Sequence, residues 1–337
     1  MAFRDLTKLA IIVWSCLTVI SACDPGPQSR QNRHREQLRI VMVGESQKDP
    51  TWPILQSMAA EFERLYPFAT VQTLAPQSGA PHEQQTLLEG LLEESVHAIC
   101  VAPNDPLAIQ SIINRLAGSG RPVVTIGMDV PSSSRAVFCG PAEMEIGRSA
   151  AVACGSVLTG RSRTVMVLHA GTDHDVYRGR YFSFKEKLPD QGRIQLMGEV
   201  DCRGNSLEAA RLVRKRVRMY PRVGCWVFLD DWALQGLKPG DRLLPLGCAL
   251  VLCNGSPEYL EDIRKGEIQA LVAFDYYQAV QDALHTALRL GQGGELKTNT
   301  IIATPAEIIT AKNVDEYDRR WKAWQQGKPS PNETLRE

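Results

Sequence analysis

Polar and aromatic residues follow a series of short apolar runs in this 337-residue sequence. They supply carboxylate, amide, guanidinium, imidazole and aromatic groups, and lie at residues 48–52, 104–105, 129, 169–180, 230–232, 254 and 274–275. A planar polar group can hydrogen-bond to two neighbouring hydroxyl groups, and an aromatic ring covers an apolar C–H face. Together these residue types favour binding of a small ligand with adjacent hydroxyl groups, such as a sugar.

Metal binding and catalysis find less support in the sequence. His169, Asp173, His174 and Asp175 are residue types that bind metals, but they lack the spacing of a metal site. The polarity of a loop explains them, so neither a metal nor a cofactor is expected. The sequence also lacks the phosphate-binding, dinucleotide-binding, zinc-protease and serine-hydrolase motifs of common enzymes. We therefore expect a binding protein rather than an enzyme.

The apolar runs have the length of buried strands and alternate with segments of helical periodicity. Residues 38–43 form such a run, and apolar positions between Ile54 and Tyr66 then recur at helical spacing. Further strands are expected near 70–74, 96–102, 122–126, 163–168, 194–200, 223–229, 246–252 and 269–273, with helices including 105–118, 204–219 and 256–265. This alternation specifies parallel sheets covered on both faces. The predicted fold is α/β with two doubly wound parallel-sheet lobes, whose ligand lies beyond the carboxyl ends of the strands.

The N-terminus has the order of a lipoprotein export signal. Two cationic residues precede an uncharged apolar run that is too short to span a bilayer, and Ile20-Ser-Ala-Cys23 resembles a bacterial lipobox. We predict a signal peptide at 1–22, lipidation of Cys23 and a lipid-anchored flexible linker at 23–37, with an ordinary cleaved signal as the alternative. The protein would then be exported and held on the periplasmic side of a bacterial membrane.

Net charge and cysteine content narrow the partners and the chemistry further. The formal net charge is zero, and loss of residues 1–22 removes a net +1, which leaves −1. This balance gives no support for nucleic acid as a partner. Seven cysteines follow Cys23, an odd number that leaves at least one unpaired. Most lie in apolar runs, where cysteine behaves as a small buried hydrophobe, so mostly free thiols in the core are expected.

Five segments, in family order and at family-like intervals, resemble the type I periplasmic binding proteins, in particular the ribose-binding-protein-like sugar receptors. They are Val101-Ala-Pro-Asn-Asp105, Arg121-Pro-Val-Val-Thr-Ile-Gly-Met-Asp129, Arg178-Gly-Arg-Tyr-Phe-Ser-Phe-Lys-Glu186, Cys253-Asn-Gly-Ser-Pro257 and Pro305-Ala-Glu-Ile-Ile-Thr-Ala-Lys-Asn-Val-Asp-Glu-Tyr317. The resemblance implies two lobes joined by a hinge of three crossovers and closing by hinge bending. The implied parts are lobe 1 at 38–142 plus 275–300, lobe 2 at 143–274 plus 301–312, and a C-terminal tail at 313–337.

The resemblance also implies roles for individual pocket positions. Asp129 matches a carboxylate that accepts hydrogen bonds from sugar hydroxyls. Arg178 and Arg180 match arginines that reach the ring oxygen or hydroxyls, and Trp52 matches an aromatic residue that sandwiches the sugar ring. Each has a structural alternative, because Asp129 could turn a surface loop, the arginines could form a solvated helix face, and Trp52 could belong to the core.

Other pocket positions depart from the family pattern. Asn254 stands where Asp is common, Asp230 where Asn is common, and Phe274 where Gln is frequent, which argues against ribose itself. Of Asp230 and Asp231, we expect one to face the cleft and the other to cap a helix. Asp49 is a further candidate ligand-binding residue, because Asp49, Asp129 and Asp230 could balance the charges of the two candidate arginines around a neutral ligand.

The function implied is capture of an uncharged monosaccharide and its delivery to the permease of an ATP-driven (ABC) importer. The alternative is a sensor that presents the ligand to a membrane receptor or histidine kinase. A transcriptional regulator of related fold is excluded, because a signal and a linker stand where its DNA-binding headpiece would lie. The expected partners are the sugar, the membrane through the lipid, and a permease or receptor, with the protein itself a monomer.

Overall fold

The computed structural model describes residues 37–158, 162–171, 175–235, 237–238, 241–297 and 299–329, with only the backbone of Asp175. The predicted signal peptide, Cys23 and all of the linker except Gln37 lie outside the described residues, as do Asp173 and His174 of the candidate metal loop. In the described part of the chain, no helix is both long enough and apolar enough to cross a membrane.

The first part of the chain alternates strands with helices. Its elements are β1 (Leu38–Val43), α1 (Trp52–Leu65), β2 (Ala69–Leu74), α2 (Pro81–Gly90), β3 (Ala98–Val101), α3 (Pro106–Gly118), β4 (Val123–Ile126) and β5 (Val137–Gly140). Helix α3 starts sharply because Asp105 Oδ1 accepts hydrogen bonds from the backbone N–H groups of Leu107, at 2.9 Å, and Ala108, at 3.1 Å. Pro106 suits the first helical position, where a backbone N–H would have no partner within the helix.

The second part continues the same alternation. Its elements are α4 (Glu143–Val157), β6 (Thr164–His169), α5 (Asp175–Lys187), β7 (Gln195–Asp201), α6 (Ser206–Met219), β8 (Cys225–Phe228), α7 (Trp232–Gln235), β9 (Ala249–Leu252), α8 (Leu260–Lys265) and β10 (Ala270–Phe274). Asn205 caps α6, because its Oδ1 accepts a hydrogen bond from the backbone N–H of Glu208 at 3.0 Å. The helix expected at 256–265 is instead a 3₁₀ turn at Pro257–Tyr259 followed by α8.

Four elements complete the chain: α9 (Tyr276–Gly291), β11 (Thr300–Ala303), β12 (Ala306–Ile309) and α10 (Val314–Trp324). The twelve strands of the described residues form two six-stranded sheets, ordered β11-β5-β4-β3-β1-β2 and β12-β10-β9-β8-β6-β7. Every pair is parallel except β10 with β12, which is antiparallel. We call the first sheet with its helices lobe 1 and the second with its helices lobe 2, which confirms the predicted two-lobed α/β fold.

The chain passes between the lobes three times, after β5, after β10 and after β11. Because β11 pairs in parallel with β5, residues 301–303 belong to lobe 1. This corrects the boundary at residue 300 that the resemblance implied, since the third crossover lies between Ala303 and Ala306. The expected tail contains α10, which buries Tyr317, Trp321 and Trp324. Helix α10 contacts both lobes, through ion pairs of Asp315 and Asp318 with Arg264 of lobe 2 and a hydrogen bond from Ser57 of lobe 1.

Strand β1 shows why this sequence forms doubly covered sheets. Ile40 and Met42 pack into one apolar cluster of lobe 1, while Val41 and Val43 pack into another. Successive side chains of a strand point to opposite faces, so a continuous apolar run is buried only where helices cover both faces. Each fully buried aliphatic side chain of this kind stabilises the fold by about 1.5–3 kcal/mol relative to an exposed one.

Candidate ligand-binding cleft

Both lobes reverse their strand order at the same place. In lobe 1 the reversal lies between β1 and β3, and in lobe 2 between β6 and β8. Ligands of open parallel sheets bind beyond the carboxyl ends of the strands at such a point. The residues that follow β1 and β8 are therefore the first candidates, and they include Glu45 in lobe 1 and Asp230 in lobe 2.

Glu45 was not singled out in the sequence. Its side chain is half-buried, and among the residues that the structure describes its carboxylate accepts no hydrogen bond. Burial raises the pKa of Glu45 well above its ordinary value, and the carboxylates of Asp49, Asp230 and Asp231 raise it further. Two of these three belong to lobe 2, so the strand ends of the two lobes face each other closely enough for their charges to interact.

Arg180 lies on the lobe 2 side of this cleft and is 7% exposed. Its Nε donates a hydrogen bond to Glu143 Oε2 at 2.6 Å, and its Nη1 donates to the carbonyl oxygen of Leu229 and lies 3.7 Å from Asp230 Oδ2. Burial opposes the charged guanidinium, but Glu143 and Asp230 outweigh it and raise the pKa of Arg180. Arg180 therefore remains a cation, with Glu143 as its principal partner.

The position of Arg180 depends on close contact between α4 and α5. A Cβ atom at Gly147 of α4 would lie 2.0 Å from the carbonyl oxygen of Arg180 and 2.2 Å from Ser183 Oγ of α5. Only glycine permits this approach, which brings Glu143 at the start of α4 to the guanidinium of α5. Gly147 thus fixes the geometry of the ion pair between Glu143 and Arg180 without belonging to it.

Asp129 follows β4 in lobe 1 and forms a buried ion pair with Arg135, a residue that the sequence analysis did not consider. Arg135 Nη2 donates to Asp129 Oδ2 at 2.7 Å, its Nε donates to Oδ1, and the backbone N–H of Val130 also donates to Oδ1 at 2.7 Å. Arg135 is 2% exposed and Asp129 is 6% exposed. The Thr125 hydroxyl also donates to Asp129 Oδ1, at 3.4 Å, so the Asp129 carboxylate already accepts several hydrogen bonds within lobe 1. The ligand role of Asp129 stays a prediction.

Asp230 and Asp231 have different surroundings. Asp231 Oδ2 accepts a hydrogen bond from the Tyr259 hydroxyl at 2.8 Å, and its Oδ1 accepts from Gln235 Nε2 at 2.6 Å. Within the part of the chain that the structure describes, Asp230 Oδ1 accepts one hydrogen bond, from the backbone N–H of Asp231 at 2.9 Å, and Asp230 Oδ2 lies 3.7 Å from Arg180 Nη1. Burial and the neighbouring Asp231 raise the pKa of Asp230 to about 7, while Arg180 acts in the opposite direction. Among the described residues, Asp230 thus has fewer side-chain hydrogen-bond donors around it than Asp231.

Asp49 and Trp52 lie in the loop between β1 and α1. Asp49 Oδ1 accepts hydrogen bonds from the backbone N–H of Thr51, at 2.8 Å, and from the Thr51 hydroxyl, so it orders the start of α1. Trp52 is half-buried, and its Cε3 would lie 3.0 Å from a Cβ atom at Gly44. Both residues are near the cleft, and the local contacts of each are with the β1–α1 loop.

Two aromatic rings meet where the chain crosses from lobe 2 to lobe 1. The ring centroids of Phe274 and Tyr276 are 5.9 Å apart, and both rings approach Gly127, where a Cβ atom would lie 3.1 Å from Tyr276 Cε2. Tyr276 is 5% exposed, and its hydroxyl lies beside Thr51 without a hydrogen bond of normal geometry to any described residue. Burial raises the pKa of Tyr276 above its ordinary value, and so does the charge of Glu45.

Arg178 and Asn254 complete the predicted set. Arg178 is exposed on α5, unlike Arg180 two residues later. Asn254 is half-buried, and its Oδ1 accepts a hydrogen bond from the backbone N–H of Ser256 at 2.7 Å, which orders the turn after β9. Asp129 pairs with Arg135, and Arg180 pairs mainly with Glu143, two partners that the expected charge balance did not include. Arg180 also lies 3.7 Å from Asp230, and the balance around a ligand stays a prediction.

A direct contact between the lobes lies beside these groups. The Tyr177 hydroxyl of lobe 2 is 4.0 Å from Met128 Sδ of lobe 1, and the Tyr177 ring meets Trp232 edge-on at 4.9 Å between centroids. The Arg180 guanidinium carbon lies 5.7 Å from the centroid of the Tyr177 ring. Tyr177 was missed because its contacts with Met128 and Trp232 come from segments distant in sequence.

The remaining polar candidates show no reactive arrangement within the described residues. His169 is buried and stacks on Tyr181 at 4.3 Å between ring centroids, and its Nδ1 accepts the backbone N–H of Gly171 at 3.0 Å. No group of three metal-ligating side chains is found in the part of the chain that the structure describes. All seven cysteines after Cys23 are free and six are buried, as expected. Burial raises the pKa of Cys253, beside Arg180, to about 12, so this thiol stays protonated.

Comparison with known proteins agrees with this architecture. Residues 40–295 match a family model described as a periplasmic binding protein domain, and no curated protein sequence matches the chain. A solute-binding protein from Burkholderia graminis in complex with D-arabinose aligns with a TM-score of 0.68 and 17% identity over 83% of this chain and 97% of its own. The sugar-binding protein of a Bacillus halodurans sugar ABC transporter aligns with a TM-score of 0.66 and 21% identity, over 83% of this chain and 99% of its own. A glucose-galactose binding protein from Geobacillus stearothermophilus aligns with a TM-score of 0.69 and 18% identity, over 82% of this chain and 99% of its own.

The family model covers well over half of the chain, and the solved structures share its two-lobed fold along nearly their whole length. The two lobes and the three crossovers are features that the resemblance implied. The chain therefore belongs to the periplasmic binding protein family and has the type I fold.

Proposed function

We propose that this protein captures a sugar between its lobes and delivers it to the permease of an ABC importer. The observation that carries the proposal is the meeting of groups from both lobes at the two strand-order reversals. Glu45 comes from lobe 1, Arg180 and Asp230 come from lobe 2, and Phe274 and Tyr276 flank the crossover between them. A ligand held by these groups would contact both lobes at once.

The chemistry of the cleft suits a polyhydroxylated ligand. Carboxylates accept hydrogen bonds from hydroxyl groups, a guanidinium donates to hydroxyl or ring oxygens, and aromatic rings cover C–H faces. The solved structures of similar fold are described as binding D-arabinose and as a glucose-galactose binding protein. Two of them are described as parts of ABC transporters, which supports the importer over the sensor as the role of this chain.

Export and lipid attachment at Cys23 belong to the same proposal. A receptor that serves a permease benefits from being held at the membrane, and the lipobox-like Ile20-Ser-Ala-Cys23 is followed by a segment without apolar residues up to Gln37. Several acyl chains hold a protein firmly where a single chain is marginal. Metabolic labelling with a fatty acid should mark the wild type and leave Cys23→Ala unlabelled. Equal labelling of the two proteins would contradict lipidation.

The test of ligand capture is a calorimetric panel of neutral monosaccharides, polyols and amino acids. We expect at least one sugar to bind and Arg180→Lys to weaken it about tenfold or more, because lysine lacks the planar fork that reaches Glu143, Asp230 and a ligand together. Arg178→Lys tests the other predicted arginine, and Arg148→Lys, at an exposed position of α4, is the control. Tight binding of an amino acid with no binding of a sugar would overturn the proposed ligand class.

A further inference from the structure

The two buried arginines near the cleft are already paired within their own lobes. Arg135 donates to both oxygens of Asp129, at 2.7 Å for Nη2 to Oδ2, and Arg180 donates to Glu143 at 2.6 Å. Each ion pair is close to neutral as a unit. A ligand that enters the cleft therefore contacts the carboxylates that are not the main partners of these arginines.

Three carboxylates remain at the strand ends. Asp231 is held by the hydroxyl of Tyr259 and the amide of Gln235, neither of which is charged. Asp230 has a backbone N–H and the more distant Arg180 Nη1, at 3.7 Å. Glu45 accepts no hydrogen bond from any described residue, and the charges of Asp230 and Asp231 act on it across the cleft. The two lobes thus present to each other carboxyl groups that have no close cationic partner.

A second observation points to a hydrogen-bonding ligand at the same place. The Tyr276 hydroxyl is buried and has no well-formed hydrogen bond among the described residues. It is close enough to Glu45 and Asp49 for their charges to interact with it. The ring of Phe274 lies beside that of Tyr276. Carboxylates, a phenol oxygen and aromatic faces are the groups that hold an ammonium ion, which has three N–H donors and no acceptor.

We propose that the ligand carries a protonated amine, and that its ammonium group lies between Glu45 of lobe 1 and Asp230 of lobe 2, near the Tyr276 hydroxyl. The inference rests on the proposed function and narrows it, because the ligand class becomes an amino sugar or an amino-substituted polyol. The hydroxyl groups of such a ligand would meet Arg180, and the amine would neutralise these carboxylates.

The physical reason is the cost of burying like charges. Lobe closure removes water from Glu45 and Asp230, and a buried carboxylate without a counter-charge is strongly unfavourable. A neutral sugar offers hydroxyl donors but no charge, so both carboxyls would have to be protonated in the closed complex. An ammonium group supplies both the hydrogen bonds and the charge. Hydrogen bonds between charged groups are about twice as strong as neutral ones, which predicts a preference of about tenfold or more.

The experiment is calorimetry at pH 7 on pairs of compounds that differ in one group. The pairs are D-glucosamine with D-glucose, D-galactosamine with D-galactose, and 1-amino-1-deoxysorbitol with sorbitol. N-acetylglucosamine serves as a ligand with nitrogen but no charge. We expect the amine of at least one pair to bind about tenfold or more tightly than its hydroxyl partner. The preference should shrink in Glu45→Gln and in Asp230→Asn, which keep the size of the side chain, and persist in the exposed control Glu186→Gln.

Each other outcome decides a different claim. A neutral sugar that binds more tightly than its amine, with uptake of a proton detected by comparing two buffers of different ionisation enthalpy, would overturn the ammonium site and leave the sugar receptor intact. Binding of simple diamines such as putrescine, with no sugar or polyol bound, would overturn the sugar receptor and support the ammonium site. No binding by any compound of the panel would count against both.

Discussion

Replacing Asp230 by asparagine tests the electrostatics of the cleft without any ligand. Asparagine has the shape of a protonated aspartic acid but cannot ionise. In the wild type, burial and Asp231 raise the pKa of Asp230 from its ordinary 3.8 to about 7, against the opposing effect of Arg180. The folded state therefore holds a proton on this carboxyl over a range of pH in which the unfolded chain has lost it.

The direction of the pH dependence follows from this difference in proton binding. Between pH 4 and pH 7, roughly, the folded state binds more protons than the unfolded state, so stability falls as the pH rises. The contribution of Asp230 is thus fully favourable below its unfolded pKa and is lost as the pH passes through about 7. One pKa unit corresponds to about 1.4 kcal/mol, so the interval from pH 5 to pH 7 corresponds to about 2–3 kcal/mol.

We compare the free energy of unfolding of Asp230→Asn with that of the wild type at each pH. We expect this difference to favour the variant by about 2–3 kcal/mol more at pH 8 than at pH 5. For a protein of this size that is roughly 3–5 °C in melting temperature. Differential scanning calorimetry of the ligand-free proteins at the two pH values measures it, with the exposed Glu186→Gln as the control that should show no such difference. The reasoning fails if the margin between Asp230→Asn and wild type is the same at both pH values, or if the variant is the less stable protein at pH 8.

Two further predictions concern the contacts that position the cleft. Gly147→Ala should lose about 3 kcal/mol of stability, because its Cβ would lie 2.0 Å from a backbone oxygen of α5, whereas Gly118→Ala, with no atom within 4 Å, should leave stability unchanged or slightly raised. Equal melting temperatures for the two alanine variants would contradict the close helix contact. Arg135→Met should cost about 3–5 kcal/mol in urea unfolding, because it leaves Asp129 buried without its partner, while Arg64→Met breaks only an exposed pair and should change little. Similar losses in both arginine variants would show that burial of the Asp129 pair is unimportant.

The parts of the fold that the sequence predicted well are those with a strong local pattern. The continuous apolar run of β1 and the capping residues Asp105 and Asn205 are recognisable without any knowledge of the rest of the chain. Strands β5, β11 and β12 were missed. Strands β11 and β12 are largely exposed or half-buried and so lack a buried apolar run, whereas β5 is buried but was not recognised in the sequence. Their strand conformation depends on pairing with distant segments, which no local pattern records.

The site was predicted less completely than the fold, for the same reason. Arg180 was identified because its position in a family-like segment marked it, and it is indeed buried at the cleft. Arg135 follows a run of three serines that looks like an ordinary loop, and only the structure brings it back to Asp129. Glu45 becomes notable only when lobe 2 lies opposite, because its burial and its charged neighbours come from residues far away in sequence.

A ligand held at both strand-order reversals should draw the two lobes together. Within one lobe the sheet and helices are tightly packed, so motion should occur at the three crossovers and at the contact between Tyr177 and Met128. The most direct measurement is the radius of gyration by small-angle X-ray scattering, for the protein alone and saturated with the tightest-binding compound of the calorimetric panels. We predict a smaller radius with ligand bound. An unchanged scattering profile at proven saturation would contradict capture between closing lobes.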